Sequence, residues 1–220
     1  MTSRSSRLFT DHDRARIQQA VHDAEHHTSG EIVPCIVDAC DAYEEAEWRL
    51  GALCGGAVLT ALAGMYALTP AWSAWNLLES LLGVLLAGGV GMTAAKLVPA
   101  LKRTFAGSGL LQHRVGLRAW EAFVREEVFK TRERTGILLI EALLERKVVV
   151  LGDAGINARV APGDWEGVVE RIVAGLREGK AGDGMVDAIR QCGVLLERQG
   201  VARRGDDTDE LTNDLRTGRR

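Results

Sequence analysis

The sequence predicts an α/β protein, a three-layer α/β/α sandwich with an inserted transmembrane helical hairpin. Three observations predict it. From Leu50 to Ala95 the chain carries a single charge, Glu79, although charged residues make up 26% of the 220. On either side of that stretch lie short runs that are apolar at almost every position, such as Ile137 to Ile140 and Val148 to Leu151, as expected of strands covered on both faces. Around these runs, apolar residues recur at the three- and four-residue spacing of amphipathic helices. The organisation that follows is a first part of the α/β domain over 1–48, a membrane hairpin over 49–98, the remainder of the domain over 99–197, and a polar tail over 198–220.

Composition narrows the function classes. With 46% hydrophobic residues the chain is globular rather than disordered, and a formal charge of −3 lacks the basic excess that neutralises phosphates, so no nucleic-acid partner is expected.

The first helix is expected over 11–27, with Thr10 as N-cap, an acidic first turn, and Ile17, Ala20, Val21 and Ala24 on one face. A strand over 31–38 follows, in which Pro34 removes a backbone donor and so calls for an open side or a bulge. From Asp41 the residues favour helix and run towards the first apolar span. Residues 50–68 and 80–98 are each about 28 Å long as helices, close to the thickness of a hydrocarbon core. Pro70 breaks the chain between them, and Trp72 and Trp75 suit a membrane interface. No Lys or Arg lies in the connection, whereas Arg49 precedes the first span and Lys96, Lys102 and Arg103 end or follow the second. Both flanks are therefore expected in the cytoplasm. Small residues at four-residue spacing, Gly56, Thr60 and Gly64, then Gly83, Ala87 and Gly91, suit close helix packing within the hairpin or self-association of two copies. No ionisable pair lies at mid-depth, so the spans read as an anchor in the lipid bilayer and not as a transport path.

Beyond the hairpin, a helix is expected from Leu111 to about Lys130, then two strands over 136–142 and 147–151, close enough for an antiparallel hairpin. Trp165, Val168, Val169, Ile172, Val173 and Leu176 form a helical stripe, and a last helix covers about 184–197. A short fourth strand is conceivable near 158–161. The tail is rich in charge and reads as mobile or docked only at its end.

Several segments resemble the TPM domain family. They are Ser29-Gly-Glu-Ile-Val, Tyr43-Glu-Glu-Ala, the run from Thr131 to Ala142, the run from Glu145 to Ile156, Trp165, and Gly179 to Ile189. Residues 135–156 are the most specific piece. The hairpin and the tail, with Asp206, Asp207, Thr208, Glu210 and Leu211, look like the bacterial membrane branch, although Gln199-Gly200 stands where a Phe-Pro pair is usual. The resemblance implies a compact α/β/α sandwich in the bacterial inner membrane, and carries with it acid phosphatase activity and divalent-metal binding described for some members.

The residues themselves offer one metal constellation. Asp38 ends a strand, Asp153 follows another between two glycines, and Asp183, with Asp187, starts the last helix. Such oxygen donors on turns suit Ca²⁺ or Mg²⁺ if they converge; the same residue types also serve as turn and N-cap residues. Glu145-Arg146 reads as a family motif or a solvated turn. His22 and His26 share a helix face but lack a third zinc ligand. No phosphate-cradling Cys motif is present and no Asp-x-Asp pair follows an expected strand, so a phosphatase would need metal-assisted hydrolysis through Asp38, Asp153 and Asp183. The four cysteines are read as reduced thiols. The favoured function is a membrane-anchored, non-catalytic protein that presents a cytoplasmic interaction surface to a protein partner, shaped by a divalent cation in one version. A metal-dependent acid phosphatase and a structural subunit of a membrane complex are the alternatives.

Overall fold

The structure, a computed structural model, describes residues 5, 8–68, 74–201, 203 and 210–218. In chain order its elements are α1 (Asp11–Glu25), β1 (Glu31–Val37), α2 (Glu44–Leu68), α3 (Ala74–Leu97), α4 (Pro99–Ala106) and α5 (Ser108–Arg125). There follow β2 (Gly136–Ala142), β3 (Lys147–Gly152), the short α6 (Ala154–Asn157), α7 (Glu166–Arg177), α8 (Ala181–Arg198) and β4 (Arg216–Gly218). They form two compact units, one of Met1–Cys40 with Arg114–Arg220, the other of Asp41–His113.

The first unit is an α/β/α sandwich around one mixed sheet of order β3-β2-β1-β4. β1 runs parallel to β2 and to β4, while β2 and β3 form the antiparallel hairpin expected from their short connection. Period-two alternation sorts the strand side chains. Ile32, Ile36, Ile137 and Leu139 join the core made with α1, α7 and α8, whereas Val33, Cys35, Val37, Leu138 and Ile140 join the one made with α5. Both faces are therefore dry, which is why β1 and β2 are buried at every position. α1 starts as expected: the Asp13 N–H donates to Thr10 Oγ1 at 3.1 Å and the Thr10 N–H to Asp13 Oδ2 at 3.0 Å, a reciprocal capping box.

Pro34 fits because of where the ladder begins. The Glu31 N–H donates towards the β2 side, to Thr135 O, and the Asp38 N–H to Gly218 O of β4. By alternation the missing donor of Pro34 falls on the β4 side, ahead of the Cys35 to Arg216 pairing that opens that ladder. The open side expected from the proline is this short gap.

Two expectations need correction, the place of the fourth strand and the end of α5. The fourth strand is not near 158–161, which leads into a 3₁₀ turn at Pro162–Trp165; it is β4, from the tail. Of the two readings of the tail, docking at its end is the one seen, within residues 210–218, where the Glu31 carboxylate accepts from the N–H groups of Glu210 and Leu211, and the Glu210 carboxylate accepts from Arg132 N–H at 2.8 Å. α5 stops at Arg125 and not near Lys130, because Glu127 takes a left-handed φ of 55° before a 3₁₀ turn.

The second unit is the helical hairpin with α4. α2 begins at Glu44 and runs unbroken through the first apolar span. The helices touch through Gly51, Gly55, Gly88 and Gly91; a Cβ on Gly91 would lie 2.8 Å from Leu50 O and 2.9 Å from Cys54 Sγ. Of the small-residue ridges expected from spacing, Gly91 is in this contact, while Gly56, Gly64 and Gly83 have no facing atom among the described residues within 4 Å of the position a Cβ would take. Lys102 Nζ pairs with Glu47 Oε1 at 2.7 Å, and Arg49 Nη1 donates to Phe105 O and Ala106 O, so the basic flanks tie α4 to the start of α2. Pro70 and Trp72 lie outside the described residues, as do the Trp75 side chain and Asp206, Asp207 and Thr208.

Candidate functional site

The three aspartates do not meet. Asp38 sits just past the carboxyl end of β1, its Oδ1 accepting from Ser5 N–H at 2.7 Å and its own N–H held by β4. Asp153 follows β3, which runs antiparallel to β2, so it lies at the other end of the sheet, beside Gly136. Six residues of strand at about 3.3 Å each separate the two ends by about 20 Å. Asp183 is in the first turn of α8 with its Oδ1 2.6 Å from Arg16 Nη1 on α1. Among the described residues no group of three His, Cys, Asp or Glu is placed to hold a metal ion.

Asp153 instead organises the turn after β3. Its Oδ1 accepts from Ala154 N–H at 2.7 Å, capping α6, and the Arg134 guanidinium grips the carboxylate through Nε at 2.7 Å and Nη2 at 3.0 Å. Gly155 donates its N–H to Arg134 O at 2.9 Å, and a Cβ there would collide with the carbonyls of Glu133 and Arg134. The Gly-Asp-Ala-Gly spacing thus encodes a close approach of two backbones. Asp187 is exposed and faces Arg190 at 3.8 Å. His22 and His26 pack edge to face, 5.7 Å between ring centroids.

The carboxyl end of β1 and β2 holds two features missed in the sequence. The first is Glu141. It lies on the β2 face turned towards α1, α7 and α8, is 0% exposed, and neither carboxylate oxygen has a hydrogen-bond partner among the described residues. Burial alone pushes its pKa up to about 7. The signal was available: Glu141 is the one ionisable residue in a strand whose every other position is apolar or glycine. The second is a pocket of about 510 Å³ lined by Leu8, Leu143, Arg146, Val173, Leu176 and Arg177. Beside it in the chain, the buried Glu145 accepts from Cys40 N–H at 2.7 Å, which ties the β2 to β3 turn to the end of β1.

All four cysteines are free thiols, as read from the sequence. Burial pushes Cys35 up to about 11 and Cys192 up to about 12, and burial together with the Glu145 carboxylate pushes Cys40 up as well. Thiols so far from ionisation are poor nucleophiles at neutral pH.

With this geometry in hand, comparison with known proteins bears on the fold. No protein-family model matches the chain, and no curated protein matches it. An NMR structure of the BA42 protein from the psychrophilic bacterium Bizionia argentinensis superposes with a TM-score of 0.57, at 20% identity over 96% of this chain and 95% of that one. The likeness shows the fold alone.

Proposed function

We propose that the chain is a membrane-anchored protein of the TPM type. In this reading α2 and α3 cross a bacterial inner membrane as a hairpin, and the α/β unit presents an interaction surface in the cytoplasm. The exposure of the two helices carries the proposal. Of their most apolar windows only 17% in the first and 6% in the second is buried. Leu53, Leu59, Leu85, Leu86 and Val90 are each more than half exposed, an arrangement that costs about 25 cal/mol per Å² in water and nothing in hydrocarbon. The orientation is supported by Arg49, Lys96, Lys102 and Arg103 on the flanks against none in the connection; the pairing of Lys102 with Glu47 does not weaken it, because acidic residues count little in the rule. The family reading is supported by the run over 135–156 and by a sheet covered on both faces. Interaction is favoured over metal-assisted hydrolysis because Asp38 and Asp153 stand at opposite ends of the sheet and share no centre.

Fractionation tests the anchor. The full chain is expected to pellet with membranes, to resist alkaline carbonate and to dissolve in detergent, whereas a variant with residues 50–98 replaced by a flexible linker is expected in the soluble fraction with α/β circular dichroism. Release of the full chain by carbonate would contradict the proposal.

A further inference from the structure

The pocket at the carboxyl end of β2 has a chemistry that anchoring does not use. Its floor is apolar, made by the buried Leu143 and the half-buried Val173 and Leu176, and two exposed arginines, Arg146 and Arg177, stand at its rim. Neither guanidinium has a hydrogen-bond or ion-pair partner among the described residues. Arg16 and Arg134, by contrast, each hold a carboxylate. The acids adjacent in sequence are engaged elsewhere: Glu145 Oε1 accepts from Cys40 N–H, and Glu178 faces Lys180 at 3.9 Å. The backbone does not ask for arginine at 146 either, since the turn gives it a φ of 55°, which glycine or asparagine adopts with less strain. Arg177, in the last turn of α7, suits the helix dipole, which accounts for its charge but not for its place at the same pocket as Arg146.

Open α/β sheets take their ligands beyond the carboxyl ends of the strands, and about 510 Å³ is the size of a small-molecule site. We propose that this pocket binds an amphipathic anion. A phosphate, phosphonate or carboxylate group sits at Arg146 and Arg177, whose planar donors match an oxyanion, and an apolar body of about one aromatic ring packs on Leu143, Val173 and Leu176. The same chemistry arrives either as a free small molecule or as the headgroup region of an anionic lipid.

The test uses the full chain, methyl-labelled at Leu and Val, in phosphatidylcholine nanodiscs, titrated with phenylphosphonate, a probe that cannot be hydrolysed as a phosphate ester. A second arm uses nanodiscs containing phosphatidic acid and no soluble probe. Phenylphosphonate is expected to shift the methyl signals of Leu143, Val173 and Leu176 saturably, with inorganic phosphate and benzyl alcohol binding at least about tenfold more weakly. Arg146→Gln and Arg177→Gln are each expected to weaken binding about tenfold, and together to abolish it; both positions are exposed, so the fold is retained. The same shifts in the phosphatidic acid arm identify a lipid source, and their confinement to the soluble probe identifies a free molecule. Silence of these methyls in both arms, unchanged affinity in the double variant, or inorganic phosphate binding as tightly as phenylphosphonate overturns the proposal.

Discussion

Glu141→Gln is expected to stabilise the α/β unit at pH 8 by roughly 3 kcal/mol, and to change its stability little at pH 4. The sign follows from the proton inventory. Burial holds the folded-state pKa at about 7, above the ordinary 4.5, so between these values the folded state binds more protons than the unfolded one and stability falls as pH rises. Above about pH 7 the full cost of a buried, unpaired carboxylate is present; below about pH 4.5 both states are protonated and it vanishes. Gln keeps the shape and the polar atoms and removes only the ionisation. Thermal unfolding of wild type and variant across this range checks it, with a gap in Tm of roughly 10 °C expected at pH 8 that closes towards pH 4. A gap that does not vary with pH would mean that Glu141 is solvated or paired in the folded protein.

A chain ending at Arg203 is expected to lose roughly 4 kcal/mol. It lacks β4, and with it the Asp38 N–H bond to Gly218 O and the pairing of Cys35 to Val37. It also lacks Leu215 from one core, Leu211 from the other, and the two backbone N–H groups that satisfy Glu31. Each hydrogen bond contributes about 1 kcal/mol and each leucine about 1.5 to 3 when fully buried, less here because Leu211 is only partly so. The bared edge of β1 is a template for pairing between chains, so aggregation is expected to accompany the loss. Urea unfolding midpoints and light scattering measure both effects. Unaltered stability would mean that the tail is not held.

How much of this was written in the sequence depends on the range of the interaction. The helical hairpin was legible because the chain from Leu50 to Ala95 carries no charge but Glu79 and is broken by Pro70, and β1 and β2 were legible because strands covered on both faces are apolar at successive positions. The stripe from Trp165 to Leu176 gave α7 for the same reason. β4 was not, since Arg216, Thr217 and Gly218 have no apolar pattern and are held by β1, far away in the chain, while Glu31 holds the preceding Glu210 and Leu211. The aspartate cluster failed on strand direction. The antiparallel β2 to β3 hairpin was itself expected, but the residues following β1 and β3 lie at opposite ends of the sheet because β1 also runs parallel to β2, a pairing that only the fold reveals. Asp38 and Asp153 were grouped by residue type and neighbouring turns, which ignore direction. The pocket escaped because Arg146 and Arg177 belong to a turn and a helix end that come together only in the fold.

The claim on which the rest depends is that α2 and α3 form a membrane hairpin with both flanks in the cytoplasm. Reporter fusions measure it directly, with an enzyme active only in the cytoplasm and another active only outside joined in turn after Arg220 and within residues 69–74. The account predicts that the carboxyl-terminal fusion is active only with the cytoplasmic reporter and the fusion within 69–74 only with the external one. External activity after Arg220, or cytoplasmic activity within 69–74, would contradict it.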